Sequence, residues 1–230
     1  MINIIQRIFD FYIINFHNKR ILKLIDTQNL NTIVDIGCHK AELLQTLIKE
    51  DIVFAKYVGF EPVTELFNKV KSQFDDNKNT QFFNLALSNQ KGKREISRHI
   101  VSSISSFSSA NKIKLKYRLI NIILKFNRNL FHTEMVKTDK LDNLRHIFTN
   151  KIDLLKIDVE GHEPEVLDGS TKLLIEKKPK YIIVELQKKG NYLNYDPINV
   201  TNVIQSLNYV KVKSINGPLF LFKDVVYKIN

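Results

Sequence analysis

A group of side chains able to do acid–base or metal chemistry ends an apolar stretch late in the sequence. The stretch runs from residue 153 to 159, and Asp158, Glu160, His162 and Glu163 stand at its end, before a helical pattern. So many ionisable groups beside a buried strand destabilise one another unless a proton, a cation or ligand groups compensate. The cluster is therefore a candidate catalytic site.

Two kinds of chemistry remain open for this cluster. As a general base, His162 has the more suitable ordinary pKa, whereas Asp158 has the better-supported position at the strand end. Alternatively, Asp158, Glu160 and Glu163 hold Mg²⁺ or Ca²⁺, and the metal would lower the pKa of a bound hydroxyl group. Glu185, which ends the next apolar run, could border the same pocket.

A second candidate site follows an apolar strand near the N-terminus, where Asp35 and Gly37 lead into a turn and a helix. Open α/β sheets bind ligands beyond the carboxyl ends of their strands, and a glycine there lets the backbone approach the ligand. A dinucleotide site would have glycines where His39 and Glu42 stand, and Glu42 would repel a pyrophosphate at the helix N-terminus. S-adenosylmethionine, a nucleoside ligand without phosphates, avoids that repulsion.

The next strand also ends in an acidic residue, in the run Tyr57-Val-Gly-Phe-Glu61-Pro62. A carboxylate at this position can accept hydrogen bonds from both hydroxyls of a ribose. Glu61 lies 24 residues after Gly37, close to the spacing of about 20 expected for that role. The two sites together predict a nucleoside-binding edge.

Alternating strand and helix patterns predict the elements that would position these residues. Helical periodicity marks residues 42–50, 64–74 and 164–176 between apolar runs. This alternation predicts a mostly parallel, doubly wound α/β sheet. The strand-like runs are Thr32–Ile36, Lys56–Phe60, Gln81–Leu87, Asp153–Val159 and Tyr181–Leu186.

The two ends of the chain differ from this alternation. Residues 1–30 predict an N-terminal helical extension, because apolar residues recur there at helical spacing. Near the C-terminus, two apolar runs flank Asn216-Gly217-Pro218, which predicts an antiparallel hairpin. Residues 31–230 then form one domain whose parallel sheet is closed by this hairpin, an arrangement typical of Rossmann-like methyltransferases.

The composition indicates a globular protein with acidic partners or a basic surface. The formal net charge is +11, and the single cysteine, Cys38, cannot form a disulfide within the chain. Residues 102–130 resemble an insertion made of a serine-rich loop and a basic amphipathic helix. Two interpretations of that helix stay open, as a lid over the site or as a peripheral membrane contact. We expect a cytoplasmic protein.

Several sequence blocks resemble the FkbM family of methyltransferases, and together they span roughly residues 31 to 223. Two short blocks, VDIG at Asp35 and GFEP ending at Pro62, contain the nucleoside-site residues. The most specific block is DLLKIDVEGHEPEVLDG, residues 153–169. The others are NLALS at residues 84–88, TDKLDNL at residues 138–144 and KPKYIIVEL at residues 178–186.

The resemblance implies a Rossmann-like fold, S-adenosylmethionine as methyl donor, and O-methylation of a hydroxyl on a sugar, glycan or natural product. It implies cofactor contacts at Asp35, Gly37, Glu61 and the segment from Asn84 to Ala86. It also implies that residues 158–163 face the acceptor, which could be lipid-linked or phosphorylated.

The chain departs from the family in the first loop, where the usual Gly-Ala-Asn-x-Gly reads Gly-Cys-His-Lys-Ala. His39 replaces an asparagine able to hydrogen-bond the cofactor, and Ala41 replaces the second glycine. This change motivates a second hypothesis, a catalytically silent S-adenosylmethionine-binding or scaffold protein. The charge motivates a third, a basic module that binds nucleic acid or membrane. The sequence has no Asn/Asp-Pro-Pro-aromatic motif, which argues against a nucleic-acid substrate.

Overall fold

The main sheet contains seven strands, four of which carry the candidate site residues at their carboxyl ends. The computed structural model describes residues 2–28, 30–99, 105–106, 131–189, 192, 195–217 and 222–230. The strands are β1 (Leu30–Ile36), β2 (Phe54–Phe60), β3 (Thr80–Phe83), β8 (Leu154–Ile157), β9 (Tyr181–Gln187), β10 (Tyr209–Asn216) and β11 (Phe222–Ile229).

The spatial order of these strands is β10-β11-β9-β8-β1-β2-β3. All neighbouring pairs from β9 to β3 are parallel, and β11 runs antiparallel to both β9 and β10. The predicted parallel sheet and antiparallel C-terminal pair are thus confirmed. The chain builds outward from β1 in both directions, so the topological switch point lies between β1 and β8, where open sheets bind ligands.

Helices cover both faces of this sheet. One face packs under α3 (Glu42–Lys49) and α4 (Thr64–Gln73), and the other under α5 (Glu163–Asp168), α6 (Thr171–Lys177) and α7 (Pro197–Ser206). Near-continuous apolar strands such as β9, buried at all seven positions, suit a sheet that is covered on both faces. Two apolar clusters, one on each face, form the core.

The helical pattern at residues 164–176 forms two helices instead of the single one predicted. Gly169 separates α5 from α6, and a Cβ atom there would lie 2.0 Å from the carbonyl oxygen of Ser88. The carboxylate of Asp142 then accepts the backbone N–H groups of Lys172 and Leu173 at 3.1 and 2.8 Å. This capping from a distant residue starts a new helix at a position that local periodicity does not reveal.

The run predicted as one strand at residues 81–87 is divided between two sheets. Its first half is β3, and its second half is β4 (Ala86–Leu87), which joins β5 (Gly92–His99), β6 (Ser105–Ser106) and β7 (Phe131–Asp139) in the order β4-β7-β5-β6. The sequence did not reveal this second sheet, because its described core is small, with Ala86, Ile96 and Val136 buried. Apart from β6, the predicted insertion at 102–130 lies outside the described residues.

The N-terminal helix is present as predicted. It comprises α1 (Ile2–Tyr12), a π-helical turn at Ile13–His17 and α2 (Asn18–Leu22). Its inner side is fixed to the sheet domain by polar contacts, the most buried being His17 Nε2 to Asp224 Oδ2 at 2.6 Å. A 3₁₀ helix at Leu141–Ile147 completes the described elements.

Candidate active site

The loop after β1 needs a glycine because it passes directly against the end of β8. Gly37 adopts a φ of +78°, and a Cβ atom there would lie 1.9 Å from the carbonyl oxygen of Asp158. The N–H groups of Gly37 and Cys38 both donate to the carbonyl oxygen of Phe60, at 2.9 and 3.0 Å. The ends of β1, β2 and β8 therefore meet around this glycine.

The rest of the loop holds two side chains in left-handed backbone conformations. His39 has a φ of +51° and Ala41 a φ of +58°, so the alanine that replaces the family's second glycine keeps a conformation that favours glycine. Nδ1 of His39 lies 2.6 Å from Oε1 of Glu42. Burial alone would lower the pKa of His39, but the Glu42 carboxylate raises it above its ordinary value.

Glu61, at the end of β2, lies directly against this loop. Its Oε2 accepts the backbone N–H of His39 at 2.9 Å, and its Oε1 accepts that of Val63 at 2.8 Å. Burial raises the pKa of Glu61 to about 7. Each carboxylate oxygen accepts one backbone bond and can accept a second, so both can receive a further hydroxyl donor.

Asn84 braces the same corner, whereas Ala86 lies further along the chain in the second sheet. The side-chain amide of Asn84 donates to the carbonyl oxygens of Glu61 and Pro62, at 3.1 and 2.9 Å. Ala86 is 4% exposed and pairs with Thr138 in β7. Asn84 therefore fixes the backbone of Glu61, while Ala86 belongs to β4 in the second sheet.

Asp35 and Asp158 share one buried lysine that lies between them. Nζ of Lys156 lies 2.8 Å from Asp158 Oδ2 and 3.8 Å from Asp35 Oδ1. Burial alone would lower the pKa of Lys156, but the two carboxylates raise it well above its ordinary value. The hydroxyl of Tyr57 donates to Asp35 Oδ2 at 2.5 Å. Among the described residues, nothing donates a hydrogen bond to the buried Oδ1 of Asp35.

The predicted acid-rich cluster divides into an accessible member and buried ones. The side chain of Asp158 is 27% exposed, whereas Glu163 is fully buried and Glu160 is 9% exposed. Glu163 Oε1 accepts the N–H of Gly161 at 3.0 Å, and burial raises the pKa of Glu163 to about 8. Within the cluster, Asp158 is thus the carboxylate most open to an acceptor.

His162 faces the second sheet and is almost fully buried. Its Nε2 lies 3.0 Å from the hydroxyl of Ser88, and its Nδ1 lies 3.3 Å from Oε2 of Glu165. Burial lowers the pKa of His162 to about 4, and the positive charge of Arg94 contributes to this shift. The imidazole is therefore neutral near pH 7, and its side chain is only 7% exposed.

Glu185 lies beside Glu160, as the sequence had suggested. The amide of Gln187 donates to Glu160 Oε2 at 3.0 Å and also to Glu185 Oε1. The hydroxyl of Tyr192 donates to Glu160 Oε2 as well.

Gln187 and Tyr192 were missed by the sequence analysis, as were Tyr57, Lys156 and Ser88. Only Lys156 carried a local signal, as a lysine inside an apolar strand.

The carboxylates are not arranged as a metal site in the part of the chain that the structure describes. No three His, Cys, Asp or Glu side chains there are grouped so that they could hold a metal ion. Asp158 is paired with Lys156, and Glu160 is held by Gln187 and Tyr192. The predicted Mg²⁺ or Ca²⁺ ligands Asp158, Glu160 and Glu163 therefore do not fit a bound cation.

Comparison with known protein families shows to which family the chain belongs. The model of the methyltransferase FkbM domain matches residues 35–211, which is well over half of the chain. The chain belongs to the FkbM methyltransferase family. The match begins at Asp35 and extends beyond residues 158–163. Both candidate sites of this FkbM-family chain therefore lie within the matched residues. No curated protein matches the sequence.

Solved structures show the same fold at low sequence identity. The FkbM methyltransferase from Methylobacillus flagellatus is 13% identical, with a TM-score of 0.57 over 87% of this chain and 44% of its own. Magnesium protoporphyrin IX methyltransferase from Synechocystis, solved with bound S-adenosylmethionine, is 8% identical, with a TM-score of 0.53 over 94% of this chain and 78% of its own. This chain thus has the fold of S-adenosylmethionine-dependent methyltransferases and spans less than half of the Methylobacillus protein.

Of the described helices, none is both long enough and apolar enough to cross a membrane.

Proposed function

We propose that the protein transfers a methyl group from S-adenosylmethionine to a hydroxyl group of a sugar, glycan or natural-product acceptor. The observation that carries this proposal is the Glu61 carboxylate, held by the N–H of His39 at the switch-point edge of the sheet. A carboxylate fixed in this way is suited to a ribose diol. The family membership supports methyl transfer.

The residues present suit S-adenosylmethionine on two further points. The buried Oδ1 of Asp35 accepts no hydrogen bond among the described residues, and because Nζ of Lys156 already lies 3.8 Å from it, a neutral donor such as a hydroxyl group of the cofactor would satisfy it. The loop after Gly37 offers Glu42, not a phosphate-binding glycine series, at the start of α3. Asp35, Gly37, His39 and Glu61 would therefore hold the cofactor, with Asn84 bracing Glu61.

S-adenosylmethionine, when bound, supplies a methyl group activated by the adjacent sulfonium. The chain must then orient the acceptor oxygen in line and remove its proton as the new bond forms. We assign proton removal to Asp158, because it is the exposed member of the cluster and lies beside Gly37. His162 is the weaker candidate, since it is buried and bonded to Ser88, and we assign it a positioning role.

The charges at this edge favour a neutral, hydroxyl-rich acceptor. Glu160 and Glu185 share the amide of Gln187 as a neutral donor, and Asp158 and Glu160 both lie within electrostatic range of Glu163. Carboxylates accept hydrogen bonds from sugar hydroxyls, whereas they repel phosphate. A phosphorylated or lipid-linked acceptor would therefore keep its anionic part away from the reacting hydroxyl.

The cofactor assignment is tested with Glu61→Gln and the matched control Glu65→Gln. Glu65 lies in the first turn of α4 on the surface, where its partner is Lys69. Calorimetric titration with S-adenosylmethionine should show at least about tenfold weaker binding for Glu61→Gln, because a ribose hydroxyl loses a charged acceptor. The control should bind like the native protein, and equal affinity in all three proteins would remove the ribose assignment.

Turnover separates an enzyme from a silent binder. With a panel of sugar and glycan acceptors, methyl transfer is followed as S-adenosylhomocysteine release. Asp158→Asn should lower turnover by about 10²- to 10⁴-fold while leaving cofactor affinity nearly unchanged. His162→Gln should cost less. Cofactor binding without turnover on any acceptor would favour the silent binder, and a larger loss in His162→Gln would transfer the base role to His162.

A further inference from the structure

The first half of the N-terminal helix presents three large apolar side chains to the solvent. Ile8, Phe11 and Phe16 are 64%, 60% and 53% exposed. The rings of Phe11 and Phe16 lie 6.1 Å apart edge to face, and that of Tyr12 stacks on Phe16 at 5.9 Å. Ile8 precedes Phe11 and Tyr12 by three and four residues and therefore lies on the same side of the helix. These four side chains are here named the outer apolar patch. An amphipathic helix ordinarily buries such a face against its own domain.

Polar contacts on the opposite side fix this orientation. Nζ of Lys40 pairs with Asp10 Oδ2 at 2.7 Å, and the hydroxyl of Thr46 donates to the carbonyl oxygen of Ile14 at 3.2 Å. The buried His17–Asp224 pair follows one turn later. Because the polar side is tied to the domain, the helix cannot roll its apolar patch inward without breaking these bonds.

The charges around the patch are positive. Arg7, Arg20 and Lys23 are exposed on the same extension. Both of its acidic residues are paired with lysines of the domain, Asp10 with Lys40 and Asp26 with Lys180. The whole chain carries a formal charge of +11. A second copy of the chain would bring like charges together at this surface, whereas an anionic lipid surface would attract them.

We propose that the outer apolar patch binds an anionic membrane surface, with α1 lying in the headgroup region. Aromatic and aliphatic side chains on one face with basic residues beside them are the pattern of an interfacial helix. Lys40 belongs to the loop after β1, so its pairing with Asp10 would hold that loop close to the membrane. Lipid binding does not depend on the methyl-transfer activity proposed above.

Vesicle co-sedimentation tests this proposal with the full chain. The vesicles contain either phosphatidylcholine alone or equal parts of phosphatidylcholine and phosphatidylglycerol. The native protein should sediment with the anionic vesicles at low salt and less so at high salt. The variant Ile8→Ser/Phe11→Ser/Phe16→Ser should bind at least about tenfold less, because it loses the inserted apolar area. Arg20→Glu/Lys23→Glu, which keeps the patch, should also bind less.

The matched control is Val53→Ser/Ile175→Ser/Ile198→Ser, which removes three other exposed apolar side chains, 83%, 55% and 63% exposed. It should sediment like the native protein. The proposal fails if the native protein does not sediment with anionic vesicles. It also fails if the patch variant binds these vesicles as strongly as the control variant does. It also fails if the patch variant changes only the oligomeric state in sedimentation velocity, because the patch would then contact a second copy.

Discussion

The carboxylates of the site differ in what surrounds them. Asp158 has Lys156 as a counter-ion, whereas Glu163 has a backbone N–H and other acids as neighbours. Desolvation disfavours a charge that has no counter-ion. Glu163 is therefore suited to hold a proton at neutral pH, whereas Asp158 is paired with an ammonium group.

This difference predicts a pH-dependent stability. The pKa of Glu163 is about 8 in the folded chain, above its ordinary value of 4.5. The folded state then binds the proton more tightly than the unfolded state, so the native protein loses stability as the pH rises from about 4.5 to about 8. Between pH 5 and pH 9, the free energy of unfolding of the native protein should fall by about 2–4 kcal/mol more than that of Glu163→Gln.

Urea unfolding at intervals over this pH range measures the difference. The control is Glu65→Gln, at an exposed position. Its free energy of unfolding should change with pH in the same way as that of the native protein. Parallel curves for the native protein and Glu163→Gln would mean that Glu163 is ionised in the folded state.

At the scale of elements, the N-terminal extension is joined to the sheet domain by buried apolar residues of α2, Ile21 and Leu22, and by a polar pair in the π-helical turn. His17 and Asp224 are 2% and 3% exposed, and Asp224 lies opposite Glu185 on the neighbouring strand. Breaking a buried pair leaves one charge without compensation. The pair therefore couples the extension to the strand that closes the sheet.

A double-mutant cycle with His17→Phe and Asp224→Leu should measure this coupling. Each single variant should destabilise the protein by about 3 kcal/mol. The double variant should be destabilised by clearly less than the sum of the two single losses. Lys19 of the extension and Glu50, which follows α3, make a comparable pair that is about one-third exposed. The cycle Lys19→Met/Glu50→Met should give only about 0.5 kcal/mol of coupling. Equal coupling in the two cycles would contradict a special role for the buried pair.

At the scale of the whole molecule, charge is segregated. The chain is basic overall, with a formal charge of +11, yet the carboxyl edge of its sheet collects Asp35, Asp158, Glu160, Glu163 and Glu185. Lysine, amide, hydroxyl and backbone donors hold these acids in place of a cation. The basic residues remain available to the outer surface.

This arrangement predicts that the proposed methyl transfer does not need a divalent cation. Prolonged dialysis against a chelator should leave turnover within about twofold of the untreated protein, because protein donors already hold the acidic side chains. The measurement compares S-adenosylhomocysteine release with and without the chelator, and after Mg²⁺ or Ca²⁺ is added back. Activity that is lost and then restored by either ion would contradict the assignment.

The sequence alone determined the fold class, because strands buried on both faces must be almost continuously apolar and helices must keep their period. The same alternation located Asp35, Gly37, Glu61 and Asp158 at strand ends, and parallel strands bring those ends to one edge. Local periodicity could not reveal the break at Gly169, since the carbonyl oxygen of Ser88 and the carboxylate of Asp142 impose it from distant parts of the chain.

Only the tertiary structure decided how the site residues differ from one another. Asp158, Glu160, His162 and Glu163 are neighbours in sequence, but Glu160 is held by Gln187 and Tyr192 and His162 by Ser88, which lie in distant parts of the chain. A pKa depends on burial and on these partners, which no local pattern records. The same reason applies to the N-terminal helix, whose periodicity predicted an apolar face. Only the structure shows that Ile8, Phe11 and Phe16 are exposed, while Asp10 pairs with Lys40 of the domain.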